Sequence, residues 1–217
     1  MSSYENISLR QRSFILSQAI FNILLAVFVT STVWLMAFNG NWNRLHIWHV
    51  FLSTFGISAL MAIAISTLNP GNVFVLGFSR KSRGLMHGIL MLVAGLMLIA
   101  GVSIKIQDKT DNNRAHFNST HGILGLVTYL LTFLTVIGGL FVAFAKALPK
   151  LQLVKSCHIF LGIATYCLGI ATLCFGLRNY FGSFQSSHAT NTGFIVILVA
   201  YSAINLVGPA LNLFRIK

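Results

Sequence analysis

Four histidines, His49, His87, His121 and His158, each lie three or four residues inside the start of a different apolar stretch. Consecutive stretches run in opposite directions through a membrane. His49 and His121 therefore fall near one face, and His87 and His158 near the other. Neutral imidazole is a good ligand for haem iron, and its second nitrogen can bond a carbonyl that fixes the ring. Two imidazoles fill both axial positions, leave no open site for oxygen chemistry and favour an electron carrier. Two facing pairs at two depths are what two stacked bis-histidine haems need. A ~20-residue span rises about 30 Å, so ligands about 5 Å in from each end form layers roughly 20 Å apart.

The elements that must position these rings are legible in the composition. The 217 residues are 56% hydrophobic and 8% charged, with mean hydropathy +0.80. A soluble domain would carry about a quarter charged residues. Six apolar segments, at 14–38, 46–68, 84–104, 119–145, 156–178 and 192–214, are each long enough to span a bilayer. Backbone groups in lipid must pair within their own segment, so the segments are helices. The reading is an all-α integral membrane protein, one transmembrane domain over residues 1–217. Six helices cross the membrane, and helices 2 to 5 form a four-helix bundle around two b haems. The first segment is too long for a signal-peptide core and is taken as a retained span.

With the N-terminus inside, the inner segments carry ten Lys and Arg residues against five outside. The positive-inside rule then puts both termini in the cytosol. Topology and anionic lipid headgroups account for the net charge of +12. No soluble basic domain exists to bind nucleic acid. The three acids, Glu5, Asp108 and Asp111, fall outside the spans, so the histidines are essentially the ionisable groups within them. Such residues are functional candidates. His46 is three residues before His49, nearer the water, and is the weaker ligand candidate of the two. Gly84, Gly88, Gly122, Gly125 and Gly162 lie within four residues of a ligand candidate and would make room for a porphyrin. They fit close helix packing equally well.

Together these features resemble the eukaryotic cytochrome b561 family. The likeness covers six helices, four histidines at spacings of 38, 34 and 37, and local motifs. Those motifs are Trp48-His49, Ser79-Arg80-Lys81-Ser82-Arg83 ahead of His87, His116-Phe117 followed by His121-Gly122, and Cys157-His158. The chain is most similar to the short "cytochrome b561 domain-containing" branch. It departs from the family at Ala59–Thr67, where an arginine-bearing stretch is usual, and at Ser119–Ile123, which lacks a tryptophan.

The resemblance implies a dihaem transmembrane reductase of the ferrireductase or monodehydroascorbate reductase type. Such proteins pass electrons from cytosolic ascorbate to monodehydroascorbate or ferric chelates on the other side. It implies that His87 and His158 hold the cytosolic haem, and His49 and His121 the outer one. Lys81, Arg83, Lys150 and Lys155 would receive the ascorbate monoanion through a cationic mouth. His116, Phe117 and Arg114 would touch the outer acceptor. Multi-pass residence in an endomembrane, ER or vesicle, and a homodimer are compatible with it. Two other readings stand beside it. One is a haem-bearing anchor of a quinone-linked complex, and the other a non-redox transporter with histidine relays. The near absence of Pro-broken spans and of membrane carboxylates speaks against the transporter.

Overall fold

The computed structural model describes residues 8–69, 71–144, 151–180 and 187–215, and all regular structure among them is helical. Helix α1 spans Leu9–Asn39 and starts at a capping box, in which the Ser8 hydroxyl accepts from the Gln11 amide and the Gln11 side chain accepts from the Ser8 amide. Helix α2 (Leu45–Thr54) runs through a π-helical stretch, Phe55–Met61, into α3 (Ala62–Ser66), making one rod. Helix α4 (Arg80–Asp111) is capped by Ser79, whose Oγ accepts from the Ser82 amide at 3.1 Å. Helices α5 (Thr120–Phe144), α6 (Leu151–Tyr180) and α7 (His188–Arg215) follow.

Six of these rods are long and apolar enough to cross a membrane: Gln11–Asn39, Leu45–Ser66, Arg80–Asp111, Thr120–Phe144, Gln152–Arg178 and His188–Leu213. The protein is therefore a multi-pass membrane protein, and each rod contains the core of one expected span. Rods α4 and α6 start four or five residues before the expected starts at 84 and 156. Their leading turns carry Arg80, Lys81 and Arg83 on α4 and Lys155 on α6. The second rod was expected to be plain α-helix, and its π stretch is a departure considered below.

The α2–α3 rod, α4, α5 and α6 pack together, with α5 on α6, α2 on α4 and α4 on α5. Helices α1 and α7 pack on each other, and α7 also touches α6 and α3. Edge-to-face rings join this flank: Phe21 and Phe28 meet Tyr201 at 6.0 and 5.9 Å, and Phe28 meets Phe194 at 5.8 Å. Glycine allows a close approach between α2 and α4. A Cβ on Gly101 would lie 2.8 Å from Ser53 Oγ and 3.2 Å from Leu52 Cβ. Helices in lipid gain most where small residues let backbones meet.

Candidate metal centres in two histidine layers

The packing brings the four histidines together in the pairs expected from their depth. The rings of His49 (α2) and His121 (α5) face each other with centroids 6.2 Å apart and planes at 81°. Those of His87 (α4) and His158 (α6) are 6.4 Å apart at 88°. These are called layers A and B. Apart from the macrocycle they would clamp, the layers hold little else that binds metal. No group of three or more His, Cys, Asp or Glu converges among the described residues.

Three of the four rings are aimed by a backbone carbonyl on a neighbouring rod. His49 Nδ1–H donates to the Gly101 carbonyl at 2.9 Å, His87 to Ala64 at 3.0 Å and His121 to Thr172 at 3.0 Å. A carbonyl can only accept, so these three rings carry their proton on Nδ1, leaving the Nε2 lone pair for a ligand. His158 Nδ1 is buried beside the Thr135 backbone without reaching hydrogen-bond geometry.

The acceptors follow one rule. Gly101, Thr135 and Thr172 each lie fourteen residues after the histidine of their own helix, and Ala64 lies fifteen after His49. Three rods thus give a ring to one layer and a carbonyl to the other, while α5 places Thr135 beside His158 without a bond. The pair α2–α4 exchanges these partners reciprocally. Fourteen residues rise about 21 Å, which sets the layer separation. The extra residue in the second rod falls where the π stretch runs from Phe55 to Met61. A π turn accommodates one inserted residue and commonly marks a functional site.

Space beside the rings comes from glycine. A Cβ on Gly176 would sit 3.1 Å from His121 Cε1, and one on Gly139 would sit 3.1 Å from His158 Cε1. Gly84 and Gly88 face nothing within 4 Å. Beside layer A lies a small cleft, lined by His46, His49, Ser53, His121, Gly176 and Leu177 among others. His46 belongs to its rim. Its ring stacks on His49 with centroids 6.2 Å apart, and its Nδ1 accepts from Lys105 Nζ at 3.1 Å. Lys105 also pairs with Asp108 at 2.6 Å.

The other sequence-derived candidates separate by layer. Arg83 and Lys155, both half-buried, precede His87 and His158 by one turn, and Arg83 Nε is buried with no hydrogen-bond partner. Lys81 is exposed in the first turn of α4. Lys150 lies outside the described residues. Arg114 and His116 are exposed in the α4–α5 connection, near the start of α5 and so near layer A. Phe117 beside them has φ 49°, a left-handed conformation that is strained for an aromatic residue. The Phe117 Cα lies 3.3 Å from where a Gly122 Cβ would stand. Sequence reasoning missed the four acceptor positions. Their signal was a small residue, Ala, Gly or Thr, fourteen or fifteen places after each histidine.

A family model for eukaryotic cytochrome b561 matches residues 48–182, and the chain belongs to that family. Membership implies a b-type haem. Proteins named transmembrane reductase CYB561D2 in Mus musculus, Bos taurus and Homo sapiens are each 32% identical to it over 128 residues. The matched segment covers 58% of this chain and 58% of each of theirs.

The histidine pairs fit that cofactor. A metal–imidazole bond is about 2 Å and the ring centre lies roughly 1.1 Å behind its nitrogen, so two axial rings on one iron have centroids about 6.2 Å apart. The observed 6.2 and 6.4 Å leave room for one iron between each pair. The orphaned Arg83 Nε beside layer B is a donor suited to a carboxylate such as a porphyrin propionate.

Proposed function

We propose that the protein is a transmembrane oxidoreductase that moves electrons from ascorbate on the layer B side to an acceptor, monodehydroascorbate or a ferric chelate, on the layer A side. The observation that carries this reading is the matched pair of ring separations, 6.2 and 6.4 Å, in two layers within one bundle. Two b haems, one in each layer, would supply reversible one-electron storage between ferric and ferrous iron.

In this reading His49 and His121 hold the layer A haem, and His87 and His158 the layer B haem. The Gly101, Ala64 and Thr172 carbonyls keep Nδ1 protonated and so present Nε2 to the iron. With both imidazoles of a pair engaged, His49 with His121 and His87 with His158 would exclude oxygen and water from the metal. Arg83, Lys81 and Lys155 form a cationic mouth at layer B that concentrates the ascorbate monoanion. Asp108 and Asp111, the two acids among the described residues, both lie at the far end of α4. Nothing described offsets the cations at layer B. His116, Phe117 and Arg114 receive the acceptor at the other end. By the positive-inside count, layer B faces the cytosol.

The test is a visible spectrum of the purified protein before and after ascorbate, with haem counted per chain. The expected result is two b haems, both reduced by ascorbate. Reduction by quinol and indifference to ascorbate would overturn the donor assignment. A colourless protein after expression with ample haem would overturn the whole reading.

A further inference from the structure

Helix α7 lies outside the family match, which ends at residue 182, and it carries no histidine of either layer. Two of its side chains nonetheless grip the rod that orients one of them. Tyr201 Oη donates to the Ser58 carbonyl at 3.0 Å, and Asn205 Nδ2 donates to the Ala62 carbonyl at 2.9 Å. Tyr201 and Asn205 are one turn apart on α7, and Ser58 and Ala62 are four residues apart on the second rod. The two bonds thus form a ladder between parallel rows. All four residues are fully or almost fully buried.

The ladder lands on the π stretch and its exit. A π turn carries its carbonyls out of register with the usual amide four residues on. Ser58 lies inside it, and Ala62 immediately follows. Two residues beyond Ala62 is Ala64, whose carbonyl accepts from His87 Nδ1. That carbonyl has left the helical ladder, because the Leu68 amide bonds to Ile65 and the Thr67 hydroxyl takes Ala64 at 2.7 Å. The same rod end is held by Asn72, whose Nδ2 donates to Ser66 Oγ at 2.7 Å. No equivalent set of side chains from a flanking helix is seen, among the described residues, on the carbonyls of Gly101 or Thr172.

We infer that Tyr201 and Asn205 are positioning residues for layer B: by fixing the π-helical exit of the second rod they set where the Ala64 carbonyl meets His87. The inference rests on the reading that His87 ligates a haem. Its consequence is selective. Loosening the ladder shifts the orientation and basicity of the His87 imidazole, and hence the iron it holds. His49 and His121, fixed by α4 and α6 carbonyls, are untouched.

The experiment uses the full-length dihaem protein with Asn205→Leu, which keeps the branched side-chain shape and removes the donor, and with Tyr201→Phe, which removes only the hydroxyl. Low-spin ferric EPR responds to the angle between axial imidazoles, and His121→Ala and His158→Ala proteins assign each signal to its layer. Asn205→Leu is expected to move the layer B signal and its midpoint potential. It should also speed transfer of that haem to an apoprotein acceptor about three- to tenfold, less than loss of a direct partner would. Layer A should not move, and Tyr201→Phe should act in the same sense more weakly. Should Asn205→Leu not fold, Tyr201→Phe carries the test alone. Phe21→Leu, which loosens α1 against Tyr201 without touching a carbonyl, should lower thermal stability and leave the layer B signal in place. Equal movement of both layers, or an unmoved layer B in a folded dihaem variant, overturns the inference while leaving the proposed function standing. A wild-type protein that binds no haem at layer B overturns both.

Discussion

His49 and His121 are the fifth and second residues of their helices, whereas His87 and His158 are each the eighth. Layer A therefore sits at the ends of its rods, where a cleft opens beside the rings and an ion pair, Lys105 with Asp108, borders it. Layer B sits about one turn deeper in its helices, under turns that carry Lys81, Arg83 and Lys155. Both rings of layer A are fixed by carbonyl bonds, while in layer B only His87 has one of good geometry. The same ring-and-carbonyl rule thus yields an open end where acids partly offset the cations and a deeper end where none described does. A carrier between two different reactants needs that difference. An anion is drawn to one mouth, and the other can accept a partner of more varied charge.

The largest effects should come from deleting rings. His121→Ala should leave one haem per chain, with the layer B spectrum intact, and His158→Ala should leave only layer A. Transfer across the membrane should fall to background in both. Haem extraction and EPR on each variant check this, and loss of both haems from one substitution would break the independence of the layers.

Charge comes next. Replacing Arg83 and Lys155 together by Gln should raise the ascorbate KM about five- to tenfold and flatten its dependence on ionic strength, since the removed attraction is screened by salt. Arg114→Gln at the other end should leave the donor KM unchanged and alter only acceptor kinetics. Stopped-flow reduction with each reactant varied separately distinguishes the two.

The glycines give a smaller and sharper comparison. Gly176→Ala should disturb layer A alone and Gly139→Ala layer B alone, because each new Cβ meets a ring carbon at 3.1 Å. Overpacking of this kind costs on the order of 1 kcal/mol, and it should appear as a lower thermal midpoint for release of one haem. The smallest effect is expected for Ser53→Ala. Its Oγ stands 3.4 Å from His49 Nδ1, which already donates to Gly101 at 2.9 Å. Removing so long a contact should cost less than about 0.5 kcal/mol, visible at most as a slight shift in the layer A spectrum.

The rings and their pairing were legible in the sequence because side-chain type and helix direction determine them. Four histidines at matched depths in alternating spans leave little choice of partner. The carbonyls that aim them were not legible, since a backbone acceptor has no side-chain signature. Ala64, Gly101 and Thr172 read as ordinary small packing residues. The π stretch was hidden for a related reason. Phe55–Met61 has no helix breaker but Gly56, and its extra residue shows only when His49–Ala64 is compared with the fourteen-residue spacing elsewhere. Nothing in the sequence around Tyr201 and Asn205 marks them out. Their role depends on contacts with Ser58 and Ala62, 143 residues away in the chain.

The central claim is that each pair of facing rings clamps its own iron porphyrin. Haem quantified per chain in the wild type and in His49→Ala and His87→Ala, with reduced-minus-oxidised spectra taken in ascorbate, tests it most directly. The account predicts two haems in the wild type and one in each variant, with the two variants retaining spectrally different haems. Haem content unchanged by either substitution, or the same single haem surviving in both, would contradict it.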